Sequence, residues 1–200
     1  MGSVGIAVSR DEKTRDVVLA HVSDGLGVRY ELVDHAFVAT GRGRHGNWSG
    51  VMYALVRDRS TGELLMDLYL HLRARETQFR SSEVVIKAVS ETSGPVEHCG
   101  VPMRMLNALS DPANDWAAQW RRNAEKWHER RKAAHAAVGK TVRLPYSLSY
   151  REVSTDLFTV VSMNRFASND PGLVGLTLRA PARWWEAGLE VLTHDEAATT

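Results

Sequence analysis

The chain has 200 residues, of which 44% are hydrophobic and 24% charged, and its formal net charge is +1. These ordinary globular values exclude a largely disordered chain, and the near-zero charge excludes an overall field that would recruit nucleic acid or an acidic membrane. The single cysteine, Cys99, cannot form an internal disulfide, and there is no signal pattern and no apolar run of about 18 residues. We therefore expect a cytoplasmic protein with no membrane partner.

The first 110 residues predict one α+β domain. Apolar spacing over Glu12–Ser23 predicts a short helix, and Pro102–Leu109 predicts another. Alternating or apolar segments predict four strands, at Val28–Thr40, Trp48–Arg57, Leu64–Arg73 and Glu83–Ser90. The second and third strands form a hairpin around the polar turn 58–63. Because both are apolar on both faces in places, we expect them to be central in an antiparallel sheet and covered by helices.

A long bridging helix follows over residues 111–139. Asp111 can act as its N-cap, Pro112 suits its first position, and Gly139 is a good stop. Trp116, Trp120 and Trp127 repeat at helical spacing with alanines at 113, 117, 124 and 134, which predicts one apolar stripe.

Residues 140–193 have an all-β pattern. Five short strands are predicted, at Thr141–Leu144, Ser147–Arg151, Asp156–Phe166, Leu173–Arg179 and Gly188–Leu192. This number and spacing favour a small SH3-like β-barrel, although spacing alone does not separate a barrel from an antiparallel sheet added to the first domain. Residues 194–200 are expected to be a disordered tail.

The segment Gly41–Gly46 matches the glycine pattern of dinucleotide-binding proteins. That chemistry needs a helix N-terminus directly after the glycines, whereas here the chain leads into an apolar strand. We therefore expect a hairpin loop and no cofactor. Arg42, Arg44 and His45 could still make this loop a phosphate contact.

The bridging helix carries the second candidate interface. From Arg121 to Lys132 there are six basic and two acidic residues, a surplus of four. Such a helix could lie along nucleic acid, but a solvated face opposite the tryptophans explains the same pattern. Twenty of the 25 basic residues are arginine, which suits phosphate binding but also follows from a GC-rich coding sequence. The tentative phosphate contacts are Arg42, Arg44, Arg121, Arg122, Arg130 and Arg131.

Two alternatives remain open. An enzyme could use the Glu91–Cys99 segment, but adjacent His98 and Cys99 rarely converge, and a buried thiol under a loop is the simpler interpretation. A structural zinc site would need four ligands at recognisable spacing, so no metal is predicted. A protein-interaction module could instead use Trp184 and Trp185 as an anchor for a host protein. The pattern leaves the oligomeric state undetermined.

Four short motifs resemble an uncharacterised family of small proteins from phages and mobile elements. They are Glu91 with Gly94-Pro95, Pro102 with Met105-Leu106 and Leu109, Trp116 with Trp120-Arg121, and the run Gly139–Pro145. The opening Met-Gly-Ser departs from the aromatic start of that family. The resemblance implies a mobile-element accessory protein and assigns no site residues. The sequence thus predicts a non-enzymatic accessory binding protein whose partner is nucleic acid or a host protein.

Overall fold

The computed structural model describes residues 4–8, 14–42, 48–76, 82–94, 96–150, 153–163, 176–179 and 192–194. The chain divides into two compact units, Met1–Ala124 and Glu125–Thr200. This boundary falls inside the long helix. None of the described helices combines the length and apolar character needed to cross a membrane.

The first unit is a five-stranded antiparallel sheet with helices, which confirms the α+β prediction. Its elements are β1 (Val4–Val8), α1 (Thr14–Leu26), β2 (Tyr30–Arg42), β3 (Trp48–Asp58), β4 (Leu64–Glu76), β5 (Ser82–Ser90), α2 (Met103–Leu106) and the start of α3 (Asp115–Ala137). The strand order is β1-β5-β4-β3-β2, so β3 and β4 are interior as predicted. The pattern did not predict β1, because a five-residue apolar run has no periodicity that separates a strand from a helix.

Helix α1 covers one face of this sheet. Its buried residues Val18, Val22 and Leu26 recur every four positions and pack with alternate residues of β3, among them Met52 and Val56. The apolar stripe of α1, which repeats every four residues, therefore packs on the apolar face of the sheet, where every second residue of a strand points the same way. Burying each such side chain contributes about 1.5–3 kcal/mol.

The opposite face of the sheet is covered mainly by irregular chain. Tyr53 and Met66 are buried on this face, and so are Cys99, Val101 and Met105 from the segment after β5. The Tyr53 hydroxyl interacts with the backbone of Gly100. The prediction of a central hairpin is therefore confirmed, and α1 covers one face of it as predicted, but on the other face α2 supplies only one turn of helix.

The turn after β3 is organised by a buried carboxylate, Asp58. Its Oδ1 accepts hydrogen bonds from the Ser60 hydroxyl and from the Ser60 backbone N–H at 2.8 Å, and its Oδ2 accepts one from Arg29 Nη2 at 2.8 Å. These bonds, from Ser60 first and Arg29 second, lower the pKa of Asp58 to about 2. Gly62 adopts a positive φ of 79°, which closes the turn that the sequence predicts.

Helix α3 begins four residues later than the sequence predicts, at Asp115. The side-chain Oδ1 of Asn114 accepts the backbone N–H of Ala117 at 3.0 Å, so the cap is Asn114 and not Asp111. Asn114 Nδ2 also donates to the Thr92 carbonyl at 2.9 Å, which favours this cap. Trp116 lies in the first turn and is half exposed, so the predicted apolar stripe holds for Trp120 and Trp127 but not for Trp116.

Replacing Asn114 with alanine should therefore lower the free energy of unfolding by about 1 kcal/mol, because the helix loses its cap. Asp111→Ala is the matched control and should change it by less than about 0.5 kcal/mol. Urea denaturation of both variants checks this. If Asp111→Ala lowered the free energy of unfolding more than Asn114→Ala, Asp111 would be the cap, as the sequence predicts.

The second unit holds an antiparallel sheet of four described strands, β6 (Thr141–Tyr150), β7 (Val153–Met163), β8 (Leu176–Arg179) and β9 (Leu192–His194), in that order. Its core contains Ala134, Leu144, Phe158, Val160, Leu176 and Leu178. Gly139, with φ of 83°, ends α3 as predicted.

The first two strands predicted in this part of the chain form one strand, β6. Its pairing with β7 shifts between Arg143 and Leu148, around Pro145, which cannot donate to the ladder. Among the described residues the sheet is open, without pairing between β6 and β9. Of the predicted tail, His194 belongs to β9 and residues 195–200 lie outside the described residues.

Candidate nucleic-acid interface

Arg121, the first of the four α3 arginines that were predicted to contact phosphate, points into the first unit. Its Nη2 donates to Glu91 Oε1 at 2.7 Å and its Nε donates to Glu91 Oε2 at 2.8 Å, while Nη1 donates to the Ser110 carbonyl. The Glu91 side chain is completely buried and that of Arg121 is only 12% exposed. This bidentate geometry matches the fork of a guanidinium to a carboxylate.

The backbone around Glu91 explains why an acid can be buried there. The Glu91 N–H donates to the Met66 carbonyl at 3.0 Å, and Glu91 Oε1 accepts the Met66 N–H at 3.1 Å. The Ser110 N–H donates to the Leu64 carbonyl at 3.1 Å, and the Leu64 N–H donates to the Ser110 hydroxyl at 2.9 Å. The Glu91–Arg121 clasp, which comprises Glu91, Arg121, Met66 and Ser110, thus ties together β4, the two loops and α3 within the first unit.

Three groups of the Glu91–Cys99 segment have structural surroundings. Glu91 is held in the clasp, the His98 carbonyl accepts a hydrogen bond from Trp120 Nε1 at 2.9 Å, and Cys99 is fully buried. Burial, and then the charge of Cys99, raise the pKa of the neighbouring Tyr53, whereas its hydrogen bond with the backbone of Gly100 lowers that pKa by less. The prediction of a buried thiol is confirmed. Across the described part of the chain, no group of three His, Cys, Asp or Glu side chains could hold a metal ion.

A second unusual carboxyl, Asp67, lies on the α1 face of β4, opposite Ala54 on one side and Ser90 on the other. Burial raises its pKa to about 6, against a hydrogen bond from Ser90 that lowers it, and the charge of Glu91 raises it further. Burial also raises the pKa of Tyr69, two residues along the strand, to about 12. Asp67 is therefore a carboxyl held in an apolar setting.

The other three helix arginines differ in exposure. Arg122 is exposed and its Nη2 donates to Gln119 at 3.0 Å, and Arg130 is exposed as well. Arg131 stacks over Trp127, with its guanidinium carbon 4.8 Å from the ring centre, and burial lowers its pKa. Of the four helix arginines, two are thus held against the protein.

Acidic side chains interrupt the basic face of α3. Glu125 and Glu129 are exposed. At 100° per residue, they separate Lys126 and Arg130 on one flank from Lys132 on the other. The six basic residues counted in the sequence therefore do not form one uninterrupted cationic stripe.

One end of the five-stranded sheet, where β2 and β4 finish, gathers arginines from separate parts of the sequence. Arg42 is the last residue of β2 and lies opposite Trp48 of β3. Arg73 of β4 lies opposite Ser49 of β3, and Arg75 lies opposite Glu83 of β5. Since neighbouring strands are about 4.8 Å apart, the Cα atoms of Arg42 and Arg73 are roughly 10 Å apart across β3. We call these three residues, Arg42, Arg73 and Arg75, together with Arg44, which follows Arg42 by two positions in the sequence, the hairpin-end arginines.

The sequence pattern did not single out Arg73 and Arg75, although a signal was present. Four successive antiparallel strands place their first and third connections at the same end of a sheet. Residues 41–47 and 71–83, which surround these connections, hold five arginines and two glutamates. Adding the charges of the two connections that share a sheet end, instead of counting charges along the chain, would have identified Arg73 and Arg75.

The remaining predicted residues are not described. Arg44, Trp184 and Trp185 lie outside the described residues. The host-protein interpretation that depends on the two tryptophans stays a prediction. Residues 41–42 end β2, residues 43–47 lie outside the described residues, and the next described element is the antiparallel strand β3. The helix that a dinucleotide site needs directly after its glycines is therefore not the next described element.

Comparison with known proteins gives no relative: no family model, no curated protein and no solved structure matches the chain.

Proposed function

We propose that the chain is a non-enzymatic binding protein that contacts nucleic acid phosphates through the hairpin-end arginines. The observation that carries this proposal is the strand register, which brings Arg42 and Arg73 to one end of the sheet from positions 31 residues apart. Arginine binds phosphate oxygens in a bidentate manner. Several such contacts together contribute to binding affinity without any contact to the bases.

The hairpin end is a better phosphate site than α3 for two reasons. Within α3, Arg121 is bonded to Glu91 and Arg131 is stacked on Trp127, so both are committed to the protein. Residues 41–47 and 71–83 hold a surplus of three arginines over glutamates, although the overall charge is only +1. Local clustering of charge, and not the net charge, then attracts the ligand.

Fluorescence anisotropy with a labelled 20-base-pair duplex and a 20-nucleotide single strand tests the proposal. We expect binding at low salt that weakens steeply as salt rises, because each neutralised phosphate of a duplex contributes about −0.9 to the slope of log K against log salt. Arg42→Ala with Arg44→Ala should lower the size of that slope by about 2.

Arg57→Ala is the matched control. It removes an arginine of the same sheet that is paired with Glu31 at 3.5 Å near the opposite end. It should leave the slope unchanged. If neither probe binds at low salt, or if the control lowers the slope as much as the double variant, the proposal is wrong.

We also propose three finer features. The number of predicted strands after residue 140 supports closure into an SH3-like barrel, which would show as slow amide exchange at a β6–β9 pairing. Cys99 is the single cysteine of the sequence and cannot form an internal disulfide, which supports a cytoplasmic location. The motif resemblance supports a role as a phage or mobile-element accessory protein.

A further inference from the structure

One outer edge of the five-stranded sheet is the long strand β2, which pairs with β3 alone among the described residues. A 13-residue edge strand presents backbone groups that can pair with another chain, and proteins often block such edges. The β2 edge is irregular at two places, since its register shifts between Leu32 and Asp34 and between Ala39 and Gly41. Between these shifts lies a regular stretch, residues 34–39.

The first outward backbone groups of that stretch, those of His35, are occupied. The His35 N–H donates to Asp34 Oδ1 at 2.7 Å, and the His35 carbonyl accepts from Arg104 Nη2 at 3.4 Å. Arg104 also pairs with Asp34, through Nε to Oδ2 at 3.0 Å and Nη2 to Oδ1 at 3.3 Å. One ion pair therefore takes both the donor and the acceptor that His35 would offer to a further strand.

Arg104 reaches this position because α2 is anchored beside it. Met105 and Leu106 are buried, whereas the Arg104 side chain is 61% exposed. An ion pair this exposed contributes little to folding stability because solvent screens it. The measurable effect of the Asp34–Arg104 pair should then be on whether another strand can pair with β2, and not on folding stability.

We infer that the Asp34–Arg104 pair is an edge block that keeps β2 from pairing with β2 of a second copy of this chain. In antiparallel pairing about a two-fold axis, both strands of the new pair are β2, one from each copy. A second copy is also the one partner that every solution of the protein contains. The inference is independent of the proposed nucleic-acid site.

Sedimentation equilibrium over a range of protein concentrations tests the edge block. Wild-type protein should show no β2-mediated dimer, whereas Arg104→Ala should self-associate at least tenfold more tightly. Asp34→Asn, which keeps an acceptor beside the His35 N–H but removes the charge, should associate to an intermediate degree. Arg57→Ala removes another exposed ion pair, Arg57–Glu31, whose acid is also on β2 but lies outside the stretch 34–39, and it should behave as wild type.

Amide hydrogen exchange identifies the surface. In the Arg104→Ala dimer, the amides of His35 and Phe37 should become protected. The inference is overturned if Arg104→Ala and Asp34→Asn, both with native circular dichroism, associate no more than wild type. It is also overturned if the dimers leave His35 and Phe37 unprotected, or if the wild-type protein already pairs through these amides.

Discussion

Replacing Arg121 with alanine is expected to lower the free energy of unfolding of the first unit by about 3–5 kcal/mol. The reason is that Glu91 would remain fully buried without its bidentate partner, and that the Ser110 carbonyl would lose a donor. Urea denaturation followed by tryptophan fluorescence checks the value, because Trp120 lies one residue away in the same buried region.

Arg122→Ala is the matched control for this prediction. It removes the same charge one position along the helix, but from an exposed side chain, and should change stability by about 0.5 kcal/mol or less. A double variant, Glu91→Leu with Arg121→Met, should recover much of the loss because no unpaired charge remains. Equal losses in Arg121→Ala and Arg122→Ala would show that the clasp does not stabilise the fold.

Replacing Asp67 with asparagine should raise stability above pH 7 by up to about 3 kcal/mol, since one unit of pKa corresponds to 1.36 kcal/mol. Burial raises the pKa of Asp67 from 3.8 to about 6, so the folded protein holds this proton more tightly than the unfolded chain. The stabilisation is complete below about pH 4 and is lost as the pH rises through about 6. Above that, the folded protein carries a buried carboxylate.

The difference in unfolding free energy between wild type and Asp67→Asn, measured from pH 3 to pH 8, isolates this effect. It should be near zero at pH 3 and grow with pH. The opposite dependence of Asp58, whose pKa is lowered, cancels in this difference. Asp24→Asn, which changes an exposed acid of α1, is the matched control. A flat difference for Asp67→Asn would contradict the raised pKa.

The elements that the sequence predicted are those whose signal is local. The alternation in β3 and β4, the helical spacing of Trp120 and Trp127 and the stop at Gly139 are each set by neighbouring residues, and the structure confirms them. The cap of α3 was misplaced because Asp111 and Asn114 are equally good caps in isolation. The contact of Asn114 with Thr92, 22 residues away, is invisible in a local pattern.

The candidate site was harder to predict for the same reason. Arg121 and Arg122 are adjacent and chemically identical, but a helix turns 100° between them, so one faces Glu91 and the other faces solvent. Only the position of Glu91, 30 residues earlier, shows which arginine is internal. The hairpin-end arginines likewise come together through strand pairing and not through spacing along the chain.

The motifs that carry the family resemblance have structural roles in this fold. Glu91 and Arg121 form the clasp, Trp120 bonds the His98 carbonyl, and Gly139 ends α3 with a positive φ.

The salt dependence of duplex DNA binding by two double variants tests the proposed function most directly. Arg73→Ala with Arg75→Ala removes two hairpin-end arginines, and Arg122→Ala with Arg130→Ala removes the two exposed arginines of α3. We predict that the first pair lowers the size of the slope of log K against log salt by about 2, while the second leaves it unchanged. A slope lowered only by the α3 pair, or by neither, would contradict phosphate binding at the hairpin end.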